Sequence, residues 1–188
     1  MNRDELAGSL LFIGVFVFSL GILVAEALYS GYSISGNYIS DLGVGTTAYI
    51  FNGTIILLGI LVILSAYLLH LEHRKEYYPY TLVLLGVGSL GVGMFPETTG
   101  AAHLISALIA FLFSGITDIL VFRNVRGFFK LASPAIGILV LAALVLYTVK
   151  DFLGLGVGGM ERMIVYPTLL WGMAFSGYLL SRGGTDQK

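Results

Sequence analysis

The sequence predicts an all-α integral membrane protein, a six-helix bundle with both the N- and C-termini cytoplasmic. Three observations carry that prediction. The 188-residue chain is 57% hydrophobic and only 11% charged, where a soluble domain carries about 25% charged residues. Six apolar runs, each nearly free of charge, approach the roughly 20 residues that cross a bilayer. The basic residues then fall almost entirely on one side of those runs.

The first run, about residues 6–29, follows the acids Asp4 and Glu5 and precedes no clear small-residue cleavage site. It therefore reads as a retained span and not as a signal peptide. The others lie at about 47–70, 79–95, 101–122, 131–149 and 163–181, joined by short polar connectors. The whole chain, 1–188, is thus expected to form a single transmembrane domain. The third run, "LLGVGSLGVGMFP", carries Gly86, Gly88, Gly91 and Gly93. Small residues three and four apart let helices approach closely in lipid. His103, Ala107, Ala110, Ser114 and Thr117 recur at helical spacing in the fourth run, and Gly172, Ser176 and Gly177 in the sixth.

Taken alternately, the connectors place Arg3, Arg74, Lys75, Arg123, Arg126, Lys130, Arg182 and Lys188 on the side of the termini, with only Lys150 and Arg162 opposite. Eight against two places the termini in the cytoplasm of a multi-pass cell-membrane protein. A net charge of -1 gives no reason to expect a nucleic-acid partner. The absence of cysteine excludes disulfides, thiolate metal sites, Fe–S clusters and a Cys nucleophile. No P-loop, GxSxG or dinucleotide fingerprint occurs, and the sequon Asn52-Gly53-Thr54 falls inside the second run.

The polar residues that need a reason lie on the side away from the termini. "SGNYISDLGVG" (35–45) sets Asp41 between two apolar runs, and Glu26, Asn37, Ser40, Glu97, His103, Lys150, Asp151, Glu161, Arg162 and Tyr166 share its layer. One reading is an ion-paired rim, in which acids near helix N-termini gain about 0.3–1 kcal/mol from the macrodipole and Ser40 or Asp41 caps a turn. The other is a site. His103 with Asp41, Glu97 and Glu161 supplies an imidazole and carboxylates for general acid/base work. The same groups are enough to ligate a divalent metal, although no local ligand pair such as HExxH occurs. Arg162 and Tyr166, one helical turn apart, form a candidate holder for a lipid phosphate, a group that the arginine fork suits.

On the side of the termini, "HLEHRKEYY" reads as a connector facing anionic headgroups, with Tyr77, Tyr78 and Tyr80 as an aromatic belt. Asp118, in "SGITDILVFRNVR", lies inside the fourth run, where an acid is costly; its expected partner is Arg123 or Arg126.

"ISDLG" (39–43), "FN" (51–52), "MFPETTGAAHLISALIAFLF" (94–113) and "GGMERMIVYPTLLW" (158–171) together resemble the pattern of an uncharacterised prokaryotic family of six-span membrane proteins, domain-of-unknown-function family nine-nine-eight. The resemblance implies the same six-helix architecture. It marks Asp41, Asn52, Glu97, His103, Glu161, Arg162, Tyr166 and Pro167 as characteristic positions, and it supplies no activity. The expected site is therefore a polar pocket with His103 as acid/base and Asp41 and Glu97 as its carboxylates. Arg162, Glu161, Tyr166 and Asn52 are its expected ligand-binding residues. The expected ligand is a lipid headgroup or small polar molecule, with hydrolase or transferase chemistry as an extension and the cofactor unspecified. A non-catalytic scaffold docking through the glycine-rich third run, and a small transporter with Asp118 and the outer polar cluster as its two gates, are the alternatives. Membrane lipids are the expected partners, with a second copy of the chain or another membrane protein beside them.

Overall fold

The computed structural model describes residues 1–183. Lys188, counted above with the basic side, lies outside the described residues. Six helices follow in order: α1 Arg3–Leu28, α2 Ala48–Glu72, α3 Tyr78–Met94, α4 Ala101–Leu120, α5 Phe129–Thr148 and α6 Gly156–Gly183, with no strand among the described residues. Five are long and apolar enough to cross a membrane. The sixth, α3, has 17 residues, about 26 Å of helix at 1.5 Å per residue.

Local chemistry sets the helix ends. The Asn2 side chain accepts the Glu5 N–H, and the Glu5 carboxylate accepts the Asn2 N–H, which makes a capping box at the start of α1. Gly100 stands before α4 at φ 65, in the left-handed region that glycine adopts without a Cβ penalty. The sixth helix begins at Gly156, not near 163 as the charge pattern predicted. Glu161 and Arg162 read as a break in the sequence, yet both are buried and partnered, so the helix runs through them.

Short connectors make chain neighbours antiparallel. Each helix packs on the next, and α6 returns to pack on α1, which closes the ring. Phe18, Phe51, Tyr78, Trp171 and Phe175 fill the interior, while Phe12, Leu23, Leu57, Leu64, Leu104, Leu131, Ile138 and Leu170 stand exposed on the outside. An apolar exterior on helices that satisfy their own backbone bonds is the surface that lipid solvates. This is a multi-pass membrane protein.

The glycines of α3 face inward. A Cβ on Gly88 would lie 2.4 Å from the Ala110 nitrogen of α4. Gly86 and Gly93 press the same way against α2, where a Cβ on Gly59 would lie 2.6 Å from the Leu90 nitrogen. The small-residue stripe is therefore taken up by helix packing within the bundle. Hydroxyls tie the helices where lipid offers no competing water: Ser65 donates to the Ala7 carbonyl, Thr117 to Thr81, and Thr168 to Ser114. At the end bearing the termini, buried Asp4 meets the His73 ring at 2.9 Å and Arg182 at 3.8 Å, which joins α1, the α2–α3 connector and α6. His73 thus has a structural partner.

Asp118 departs from its expected pairing. Both carboxyl oxygens are buried without a hydrogen-bond partner. Ser133 donates to the Asp118 backbone carbonyl instead, and Arg123 lies over the Phe122 ring at 5.6 Å. Arginines near a helix end extend toward the interface, whereas this carboxyl points into the α4–α5 contact beside Gly137. A buried polar group without a partner costs about 1–3 kcal/mol. Asp118→Val is therefore expected to raise the unfolding midpoint in detergent; a fall would show that the carboxyl has a stabilising partner.

Candidate functional site

At the end away from the termini, the α1–α2 connector carries a short 3-10 turn, Ser40–Gly43, and the α3–α4 connector carries another, Glu97–Thr99. Asp41 builds its own turn. Its Oδ2 accepts the Asn37 side-chain amide at 2.8 Å and the Tyr38 N–H at 3.0 Å. The next N–H, from Ile39, donates to Oε2 of Glu161 on α6. These bonds lay the connector across the bundle and bring Tyr38, Ser40, Glu97, His103, Tyr147 and Glu161 to the rim of one groove between α4 and α5.

The groove holds about 350 Å³. Its lower walls are Leu104, Ala107, Leu108, Phe111 and Leu144. A smaller void of about 80 Å³ lies behind His103 and Glu161, among Phe18, Phe51, Ser89, Ser114 and Thr168. His103 is 9% exposed and Glu161 is 4% exposed, and both line both spaces. Nδ1 of His103 lies 2.8 Å from the Phe95 carbonyl oxygen. A carbonyl only accepts, so Nδ1 carries the hydrogen and Nε2 remains free for a ligand. Glu161 commits Oε2 to Ile39, and its other oxygen has no hydrogen-bond partner. The Tyr38 and Tyr147 rings meet edge to face at 6.1 Å and form an aromatic corner.

Glu97 and Asp41 form a carboxyl pair. Burial, and then the hydrogen bond and negative charge of Asp41, push the Glu97 carboxyl up to about 7 from an ordinary 4.5. Burial and the nearby charges of Glu161 and Glu97 raise the Tyr38 phenol. The sign for stability follows. The folded state holds the Glu97 proton more tightly than the unfolded chain, so this contribution is complete below about pH 4.5 and lost as pH rises through about 7. Glu97→Gln is expected to flatten the decline of the unfolding midpoint across that window; an unchanged slope would remove Glu97 as its source.

Three other expected site residues go elsewhere. Arg162 does not face the groove. Its guanidinium pairs with Glu26 and donates to the Tyr32 hydroxyl at 2.8 Å and to the Ile34 and Gly158 carbonyls at 2.9 Å each, while its Nε is buried without a partner. It also covers the Tyr32 ring at 5.5 Å. It clamps the connector, with Glu26 of α1 as its ion-pair partner. Tyr166 stands on the outer surface in a cleft between α1 and α6 with Phe16, Leu20 and Glu26. Asn52 donates to the Gly43 carbonyl at 3.0 Å and anchors the end of the Ser40–Gly43 turn. Among the described residues no group of three His, Asp or Glu comes together to hold a metal ion.

A family model described as "Protein of unknown function (DUF998)" matches residues 12–177. The chain belongs to the DUF998 family. That match contains all four motif stretches and every residue of the groove rim. No curated protein and no solved structure matches the chain. Two rim residues of this DUF998 chain, Tyr38 and Tyr147, were not legible as site residues. Tyr38 lies in the polar stretch of Asp41, but Tyr147 looks like any interfacial aromatic at a helix end.

Proposed function

We propose that the α4–α5 groove binds the polar head of a membrane amphiphile, with the apolar chain lying along α4 and α5. One observation carries this reading: two buried polar side chains, His103 and Glu161, each present an unpartnered atom to a groove whose lower walls are apolar. Binding sites combine an apolar lining with a few convergent polar groups. A purely structural rim would bond those atoms internally, as the Asp41 carboxylate is bonded to Asn37 and Tyr38. The direct test is a photoactivatable alkyl probe in the native membrane. It is expected to label α4 and α5 around Leu104, Leu108 and Leu144, and Leu108→Trp is expected to abolish labelling. Labelling spread evenly over all six helices would sink the reading.

The basic residues favour an extracytoplasmic opening. Arg74, Lys75, Arg123, Arg126 and Lys130 cluster with the termini, and Arg162 at the groove end is neutralised by Glu26. The native chain has no cysteine, so single introduced thiols report cleanly. In intact cells an impermeant maleimide is expected to label Thr46→Cys and to spare Lys75→Cys; the opposite pattern would place the groove on the cytoplasmic side.

A second reading, acid/base chemistry on the bound head group, is favoured by the carboxyl pair. Glu97, at about 7, exchanges a proton near neutral pH beside an imidazole of fixed tautomer. Turnover of an amphiphile ester lost in both Glu97→Gln and His103→Gln, with binding retained, would establish it; binding without turnover in the native protein would restrict the site to recognition.

A further inference from the structure

We propose that the head group taken by this groove is a cationic amine, so that the site selects ammonium amphiphiles and rejects anionic ones. The proposal rests on reading the α4–α5 groove as an amphiphile site and adds the chemical class of its ligand.

The charge at the rim is one-sided. Glu97 and Glu161 line the groove from two separate elements, and Asp41 stands beside Glu97. The nearby guanidinium of Arg162 is held by Glu26, Tyr32 and backbone carbonyls, and Lys150 is exposed in the α5–α6 connector. Two groups keep an atom without a protein partner: the second oxygen of Glu161, and the acceptor Nε2 of His103, whose proton sits on Nδ1. An acceptor open to the groove without a donor gains a partner from a ligand that donates or carries positive charge. The aromatic corner of Tyr38 and Tyr147 adds ring surface of the kind that recognises ammonium groups. A phosphate placed there would meet carboxyl groups and no free cation, and like charges oppose its binding once Glu97 is ionised.

The rim also predicts a pH dependence. Glu97 faces Asp41 from the α1–α2 connector, Glu161 from α6, His103 from α4, Tyr147 from α5 and Tyr38 from the connector. As pH rises through about 7, Glu97 loses its proton. A permanently charged amine then binds more tightly.

The test measures equilibrium binding of three probes with one alkyl chain, hexadecyltrimethylammonium, hexadecyl phosphate and hexadecanol, to the full chain in neutral maltoside micelles. The ammonium probe is expected to bind at least about tenfold tighter than the phosphate. Its affinity is expected to rise between about pH 6 and about pH 8 and to fall about tenfold in Glu161→Gln. If Glu161→Gln does not fold, the ammonium-to-phosphate ratio and the pH profile of the native chain decide alone. Phosphate or alcohol binding as tightly as ammonium, and lost in Leu108→Trp, would overturn the cationic selectivity and keep the amphiphile site. No saturable binding of any probe would overturn both.

Discussion

Replacing Arg162 with methionine is expected to destabilise the protein by about 3–5 kcal/mol, the loss typical when one partner of a buried ion pair is removed. The guanidinium is the hub of the end away from the termini. It neutralises Glu26 of α1, holds the Tyr32 hydroxyl, and satisfies the Ile34 and Gly158 carbonyls. Side-chain exposure is 7% for Arg162 and 15% for Glu26, so water cannot take over either role. Methionine keeps the volume but leaves the Glu26 carboxylate stranded. The double change Glu26→Leu with Arg162→Met removes both charges and is expected to recover a large part of the loss, because a buried pair replaced by apolar groups is often close to neutral. Unfolding in detergent, read as a double-mutant cycle, measures the coupling. A small single-mutant effect with no coupling would mean that the clamp does not hold the connector. The double variant also separates roles: if it folds, it is expected to keep amphiphile binding, because Arg162 does not face the groove.

Gly158→Ala is the second large effect. A Cβ at this position would lie 1.9 Å from the Asn37 carbonyl oxygen and 2.5 Å from that of Ile34. Both obstacles are backbone, so no rotamer change relieves them. Gly158 also donates its N–H to the Ser35 carbonyl at 3.0 Å, which fixes the connector against the first turn of α6. The expected loss is at or beyond the upper end of the roughly 1–3 kcal/mol usual for overpacking. Gly177, with nothing within 4 Å of its Cβ position, is the matched control, and alanine there is expected to be nearly silent. Equal thermal shifts at the two positions would contradict the close packing of the connector.

These two residues also show what a sequence can and cannot reveal. The spans were legible because lipid demands long apolar runs, and α1, α2, α4 and α5 fall close to their expected limits. The start of α6 was not, because hydropathy scores Glu161 and Arg162 as solvent-seeking and cannot see that Ile39, Glu26 and Tyr32 satisfy them. His103, Asp41, Glu97 and Glu161 were legible as a group, since short connectors confine polar residues to one layer. Arg162, Tyr166 and Asn52 carry equally conspicuous chemistry, but direction around a helix decides their neighbours. Arg162 turns to the connector, Tyr166 to lipid and Asn52 to Gly43. Asp118 failed for a related reason. Sequence proximity suggested Arg123 or Arg126, while the helix surface carries the carboxyl inward.

We read the α4–α5 groove as a ligand site and not as a packing defect under an ion-paired rim. Native mass spectrometry on protein extracted gently from its own membrane tests it most directly. A discrete bound amphiphile is expected, retained in the Glu26→Leu, Arg162→Met double variant and lost in His103→Ala and in Leu108→Trp. A bare chain, or a bound lipid indifferent to both groove substitutions, would contradict it.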